Sequence, residues 1–362
     1  MRDSFQELLL PFRQQPELLE NYASIHGGLR FGRLLEDLDS LAASIAYAHC
    51  DGADLTLVTA AVDRIDLLVS FDDRICDVRM RGMVTFVGRS SMEVTISVEV
   101  AEGAVDEWEL AALAKFVFVA RTRDGMHAVP VNRLVVTTER EKDLFSMGQD
   151  RHQYRLRRSE KSLFRQPPTE GESHLLHSLL ISDASKGREG KGGPLGHGFL
   201  IPMRSTGMTS IRVCHPQERN IHNFIFGGYL MREAFELAYS TAAVFVKGND
   251  IMVTTVEDIS FVHPVAIGSL LYFTTGIVYT DINPNRRNYQ RLHVEVVADV
   301  LDPKVGSRVT TNTFHYTFEM KLGDPHTLSQ VIPETYTEAM RYLEGKRRVQ
   351  FGDDRFPHVN PE

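Results

Sequence analysis

From residue 32 to about residue 49 the apolar positions Leu35, Leu38, Ala42 and Ile45 recur at helical spacing, which predicts one long buried helix. Past Asp51-Gly52 the pattern turns to β-rich runs over residues 55–71, 78–87, 92–100 and 114–123, with a turn at Gly88-Arg89-Ser90-Ser91. Asp124-Gly125 is a hairpin signal, and residues 126–136 are expected to return as a strand. The same order follows later in the chain. A strand over residues 209–213 leads through Cys214-His215-Pro216 to a long apolar helix opened by Gly227-Gly228. Strands follow over residues 251–262, 270–280, 289–301 and 308–320, with a turn at Asn283-Pro284-Asn285. A long helix followed by successive antiparallel strands describes a sheet wrapped around a helix, twice.

The two passages are copies of one unit. Gly32 and Gly228 are 196 positions apart, and the same offset sets Leu34 on Leu230, Ala42 on Ala238 and Ala43 on Tyr239. Beyond each helix, Val58-Thr59-Ala60-Ala61-Val62-Asp63 falls on Val253-Thr254-Thr255-Val256-Glu257-Asp258 at an offset of 195. A period this long is not that of a solenoid, so the expectation is two duplicated domains. The first covers residues 1–136 and the second 199–325, with a linker helix and flexible loop over 137–198 and a helix and tail over 326–362. At the start of the chain, short helices are expected over residues 5–10 and 16–22. Residues 182–198 are glycine-rich and expected to be a loop, and a last amphipathic helix is expected at about 334–344.

Composition narrows the class. At 362 residues, 43% hydrophobic and 24% charged, the chain can bury two ordinary cores. Cys50, Cys76 and Cys214 are spaced neither as a metal knuckle nor as a disulfide framework, which predicts reduced thiols. A net charge of −8 argues against general nucleic-acid binding. No apolar run approaches the ~20 residues of a transmembrane helix, and the opening MRDSFQELLLPFRQQP has neither the basic start nor the cleavage region of a secretory signal. The basic stretch over residues 151–165 suits either a phosphate-facing surface or a solvated helix.

Two features carry candidate chemistry. Gly227 and Gly228 lack the Cβ that blocks close approach, and a helix's first turn presents unpaired N–H groups at the positive end of its dipole. That suits a carbonyl oxygen gaining charge or a phosphate, and it equally suits tight helix packing. On the first helix Asp39 has Leu35, Glu36, Ala42 and Ala43 as its i±3 and i±4 neighbours, so it lies beside the apolar face, where an ionised carboxylate is costly without a partner or a task. It is either a catalytic acid or a buried carboxylate capping backbone or pairing with arginine. The second copy has Phe235 at that position. Conversely Asn220 and Asn223 precede the second Gly-Gly, where the first copy has Ser24-Ile25-His26. Each half lacks what the other keeps, the expectation for a fused dimer that retained one of two interfacial sites. Asp39 lies seven residues past Gly32, roughly 10 Å along the axis, and is better placed to face an antiparallel partner helix than its own N-terminus.

The strings FGRLLEDLDSLA, VCHPQERNIHN and IFGGYLMREAFELA resemble the double-hotdog acyl-CoA thioesterases, in particular the mitochondrial acyl-CoA thioesterase 9 type, over nearly the whole chain. The resemblance implies an α+β fold of two tandem hotdog domains and hydrolysis of acyl-CoA to a carboxylic acid and coenzyme A. In related enzymes an Asn just ahead of Gly-Gly in one domain works with an Asp on the helix of the other, roles that fall on Asn223 and Asp39. Here Phe224 and Ile225 separate Asn223 from Phe226, one residue more than in those relatives, which keeps Asn220 as the alternative. Asp39 would act as base or nucleophile, the Gly227 and Gly228 N–H groups would hold the thioester oxygen, and Asn223 would orient water or carbonyl. No cofactor or metal is expected beyond the coenzyme A of substrate and product, and His26, His215, His222 and His263 form no ligand cluster. His222 is either a supporting partner of the site or an ordinary surface or core histidine. Arg286 and Arg287 are candidates for the CoA phosphates, or simply an exposed turn. A homo-oligomer, a trimer of double hotdogs or a similar assembly, and a mitochondrial location are further implications; cytoplasmic is the alternative. Two other classes stay open: a hotdog hydratase or dehydratase, which needs a histidine near Asp39, and an acyl-CoA sensor, which needs no acid.

Overall fold

The structure is a computed structural model that describes residues 1–50, 55–71, 75–101, 107–123, 125, 127–160, 163, 166–185, 198–257, 259–323 and 328–355. In chain order the first part holds β1 (Gln6–Leu10), α1 (Pro16–Glu20), α2 (Phe31–His49), β2 (Thr56–Val62), β3 (Ile65–Leu67), β4 (Asp77–Val87), β5 (Ser91–Ala101), β6 (Glu109–Arg121), α3 (Glu139–Glu160) and α4 (Glu170–Ser185). The second holds β7 (Gly198–Pro202), β8 (Met208–Val213), α5 (Gly227–Phe245), β9 (Ile251–Val256), β10 (Ile259–Phe261), β11 (Leu270–Ile282), β12 (Tyr289–Leu301), β13 (Arg308–Lys321), β14 (Leu328–Ile332) and α6 (Tyr336–Arg355). The class is mixed α+β.

The described strands form a 12-stranded sheet in the order β1-β4-β5-β6-β2-β10-β13-β12-β11-β8, with β3 and β9 filling the centre, and β7 pairs with β14 in a separate parallel pair. The pairings in the main sheet are antiparallel, and they mirror each other about its middle. β2 pairs with β10, and β3 with β9, so each half's interrupted strand reaches across to the other's. The helices repeat as well: α2 and α5 both have 19 residues, displaced by 196 positions. Each buries a stripe of side chains against its own sheet, Leu34, Leu35, Leu38, Ala42 and Ile45 in one and Leu230, Met231, Ala234, Ala238 and Ala242 in the other. They lie side by side and antiparallel, since Gly32 meets Arg232 and Glu236 while Gly228 meets Glu36.

The outer face of the sheet is covered by α3 on one half and α6 on the other. Gly148 of α3 sits on Phe86, where a Cβ would collide, and Gly345 of α6 on Val278 and His293, where a Cβ would be tight at 3.0 and 3.1 Å. The expected solvated basic helix is therefore anchored. Arg151 reaches the fully buried Glu93 at 2.5 Å and Arg155 reaches Asp63 at 2.7 Å, so burial of the acids recruits the cations. Helices α3 and α6 begin alike: Thr138 and Glu141 cap each other's backbone N–H groups, and so do Thr335 and Glu338.

Several sequence expectations are corrected. Residues 5–10 are not helical: β1 runs antiparallel to β4, from Gln6 opposite Gly82 to Leu10 opposite Val78, because a sheet edge supplies backbone partners that a six-residue helix lacks. Residues 127–136 do not return as a strand, and Met126 lies outside the described residues. Only Ala128 bridges to Arg121, and Pro130, which has no N–H, interrupts a ladder there. The run 55–71 breaks into β2 and β3 at Asp63-Arg64, whose charges go to Arg155 and Glu257. Of the expected loop 182–198, residues 182–185 belong to α4 and 186–197 lie outside the described residues. The last helix runs on to Arg355 instead of ending near residue 344.

Candidate active site

The antiparallel crossing of α2 and α5 brings Asp39 to the first turn of α5. Its carboxylate is 1% exposed. Oδ2 accepts the Gly228 N–H at 2.7 Å and Oδ1 accepts the Thr59 hydroxyl at 3.2 Å, Thr59 being a residue of β2. Burial pushes the Asp39 pKa up to about 6, against the opposing pull of these two donors. The carboxylate is thus a cross-helix cap on α5, one of the two roles its sequence neighbourhood allows, and it is also an acid poised close to neutral pH.

Both glycines are required by close approach. A Cβ on Gly227 would lie 2.9 Å from Asp39 Oδ2 and 3.2 Å from the Phe261 ring, and one on Gly228 would lie 2.8 Å from the Glu36 Cα. Gly228 gives its N–H to Asp39. The Gly227 N–H, first of the helix, has no partner among the described residues. Around this contact, Arg232 binds Glu36 at 2.9 Å, tying α5 to α2, and Arg212 of β8 binds Glu233 at 2.5 Å, tying α5 to its own sheet.

Asn220 and Asn223 stand in the loop before α5 and are not equivalent. The Asn220 side chain accepts the N–H groups of His222, at 2.9 Å, and Phe224, at 3.2 Å, and so builds the turn. Asn223 adopts a left-handed φ of 61°, which Asn tolerates, and its side chain is exposed with no hydrogen-bond partner among the described residues. The structure therefore brings Asp39, Gly227 and Gly228 together and leaves Asn223 at the loop's surface four residues earlier. Gly27 occupies the matching left-handed position, φ 88°, in the first copy.

Arg286 and Arg287 sit in the turn between β11 and β12. Arg286 binds Glu319 at 3.1 Å and stacks on Tyr289, while Arg287 is exposed. Arg286 also lines a cavity of about 330 Å³ with Arg64, Lys115, Arg291 and Glu257. Thr317 and Glu319 line it too, and the residues alternating with them, Tyr316 and Phe318, point at Phe235, so the cavity lies on the sheet face away from α2 and α5, where Val349 of α6 also lines it. Its arginines are paired: Arg64 with Asp66 and Glu257, Arg291 with Asp281.

Sequence reasoning passed over Thr59 and Tyr47. Thr59 has Thr254 as its counterpart in the repeat, so nothing in the pattern marks it; Thr254 donates instead to the Thr317 carbonyl. Tyr47, on the last turn of α2, accepts the Leu57 N–H at 3.1 Å and bonds His222 at 2.7 Å. Among the described residues no group of three His, Cys, Asp or Glu side chains is placed to hold a metal, and no helix is long and apolar enough to cross a membrane.

No protein-family model matches the chain. It is 36% identical over 352 residues to human acyl-coenzyme A thioesterase 9, mitochondrial, covering 96% of this chain and 77% of that one. It is also 36% identical over 353 residues to acyl-coenzyme A thioesterase 2, chloroplastic, of Humulus lupulus, covering 93% and 78%. Among solved structures, an acyl-CoA hydrolase from Staphylococcus aureus in complex with butyryl coenzyme A aligns with a TM-score of 0.38 at 23% identity, over 43% of this chain and 92% of that one, a likeness too loose to carry an argument.

Proposed function

Since this chain belongs to the acyl-coenzyme A thioesterase 9 family, we propose that it hydrolyses fatty acyl-CoA to free acid and coenzyme A at one site between two hotdog domains, 1–136 and 199–325. The observation that carries the site is the buried Asp39 carboxylate against the N-terminus of the other half's helix, with a pKa near 6. Gly228 and Thr59 orient Asp39. The Gly227 N–H, without a partner among the described residues and at the positive end of α5, takes the thioester oxygen as negative charge develops on it. Ionised Asp39 takes a proton from the attacking water and returns it to the departing thiolate as the C–S bond breaks. Or it attacks the carbonyl carbon itself, releasing the thiolate and forming a mixed anhydride that water then hydrolyses to the free acid, leaving a proton for the thiolate. Asn223 positions the water or the carbonyl when the acyl chain fills the site, and Arg287, with Arg286 behind it, meets the CoA phosphates. The free acid and coenzyme A are the products, and no further cofactor takes part. The fused pair associates further as a homo-oligomer, a trimer of double hotdogs, in the mitochondrion.

The hydratase reading needs a histidine beside Asp39, and among the described residues none bonds it; His222 is turned to Tyr47 instead. A sensor has no use for a carboxylate held at this cost. The test is thiol release from a panel of acyl-CoAs of short to long chain, together with the Asp39→Asn variant. A loss of ~10²-fold or more in turnover with the fold intact is expected. Near-normal turnover by the variant rejects Asp39.

A further inference from the structure

The loop between Glu218 and Phe226 carries Asn223 and delivers the chain into Gly227. Three of its backbone hydrogen bonds are repeated in the loop before α2. Ser24 N–H to Gly28 O at 2.8 Å matches Asn220 N–H to Phe224 O at 2.7 Å, and Gly27 N–H to Ser24 O at 3.2 Å matches Asn223 N–H to Asn220 O at 3.1 Å. Arg30 N–H to Tyr22 O and Phe226 N–H to Glu218 O match in the same way. Each loop also sends a histidine across to the other half's helix: His26 to the Tyr239 hydroxyl at 2.5 Å, and His222 to the Tyr47 hydroxyl at 2.7 Å. The histidines correspond at the 196-residue offset, whereas the tyrosines stand one helical turn apart in the repeat.

The surroundings differ. Tyr47 accepts the backbone N–H of Leu57, so its own hydrogen is available to His222 Nε2, whose acceptor role fits the neutral ring that burial favours. Leu57 lies on β2, two residues before Thr59, which holds Asp39. One strand thus fixes both the carboxylate and the loop that carries Asn223. On the other side, the loop held by His26 and Tyr239, and by Arg30 on Glu236, leads into Phe31, which packs on Phe235, the residue in the place of Asp39.

We propose that His222, acting through Tyr47, is a positioning residue: it latches the Asn223 loop of one half to the strand that orients Asp39 in the other, while the matching His26–Tyr239 latch holds structure only. The inference rests on the single-site reading above. It adds a specific dependence, because a loop displaced by about 1 Å can cost up to ~10²-fold in rate without any loss of binding.

The test uses the full chain and thiol release, with melting temperature measured in parallel. His222→Leu is expected to lower kcat about tenfold with KM changed less than about twofold, whereas His26→Leu leaves kcat unchanged at a similar cost in melting temperature. His222→Gln, which keeps a hydrogen-bonding group near the Nε2 position, restores most of kcat, a rescue that a histidine working as acid or base would not show. Tyr47→Phe combined with His222→Leu loses no more than the larger single effect, as two members of one contact must. Equal kcat for His222→Leu and His26→Leu, no rescue by glutamine, or additive losses overturns the latch. Absence of thiol release in the unmodified enzyme, or full activity of Asp39→Asn, overturns the underlying single-site reading instead.

Discussion

At one end of the α2–α5 pair Asp39 accepts the Gly228 N–H at 2.7 Å; at the other, Phe235 stands where that carboxylate would be, and its ring packs edge-on against Phe31 with centroids 5.2 Å apart. The backbone around the two is the same: matched helices, matched loops, matched strand crossings. Phe235 is 5% exposed and also touches Tyr316 and Phe318, so this end gains apolar burial. The Asp39 end gives up stability, since burial raises its pKa from 3.8 to about 6 and charging it at neutral pH is unfavourable. A costly acid kept at one of two equivalent places, with an aromatic plug in the other, is what the proposed single site of a duplicated unit would leave behind.

The comparison can be pressed hardest at the plug. Phe235→Ala should lower stability by about 3–5 kcal/mol, measured by denaturant unfolding, while thiol release stays within about threefold. A large selective loss of turnover would mean that this end also takes part in catalysis. The next largest effect belongs to the acid. A raised folded-state pKa contributes stability below the unfolded value of 3.8 and loses it as pH rises through about 6, so removing the charge relieves a cost present above that window. The stability of Asp39→Asn relative to the unmodified protein should therefore improve by up to ~3 kcal/mol between pH 4 and pH 7. A difference that does not change with pH would show that Asp39 is not held as described.

The glycines separate the ends by less. Gly228→Ala drives a Cβ to within 2.8 Å of the Glu36 Cα and 2.5 Å of the Phe226 ring and should cost ~1–3 kcal/mol together with turnover. Gly32→Ala meets the Glu236 carboxylate oxygen at 3.0 Å and the Arg232 Cγ at 3.1 Å, side-chain contacts that need a shift of a few tenths of an ångström, and a gain in helix propensity of about 1 kcal/mol leaves it near neutral. Equal costs at the two positions would weaken the case for a tighter helix approach at the Asp39 end. Smallest of all, Arg287→Ala should raise KM about threefold through loss of one exposed ion pair with phosphate, with kcat unchanged. Unchanged KM would release this turn from any part in CoA binding.

Much of this arrangement was legible in the chain. The repeat between residues 32–49 and 228–245, the strand succession after each helix and the anomaly of Asp39 on an apolar face all rest on local spacing, which survives folding. What was not legible depends on long-range partners. β1 reads as helix because its five residues show no edge of β4 to pair with, and α3 reads as a solvated linker because Glu93 and Asp63 are far away in sequence. The capping boxes at Thr138 and Thr335 were visible signals of where α3 and α6 begin. Thr59 carried no signal, because its twin Thr254 is the same residue with a different task.

The central claim is that an ionised Asp39 at the junction of the two halves drives hydrolysis. The pH dependence of kcat/KM for acyl-CoA, measured by thiol release on the unmodified enzyme and on Asp39→Asn, tests it most directly. The account predicts a break near pH 6, with activity falling about tenfold per unit below it, and no such break in the residual activity of Asp39→Asn. A profile flat down to pH 5, or a break near pH 6 that persists in Asp39→Asn, would contradict it.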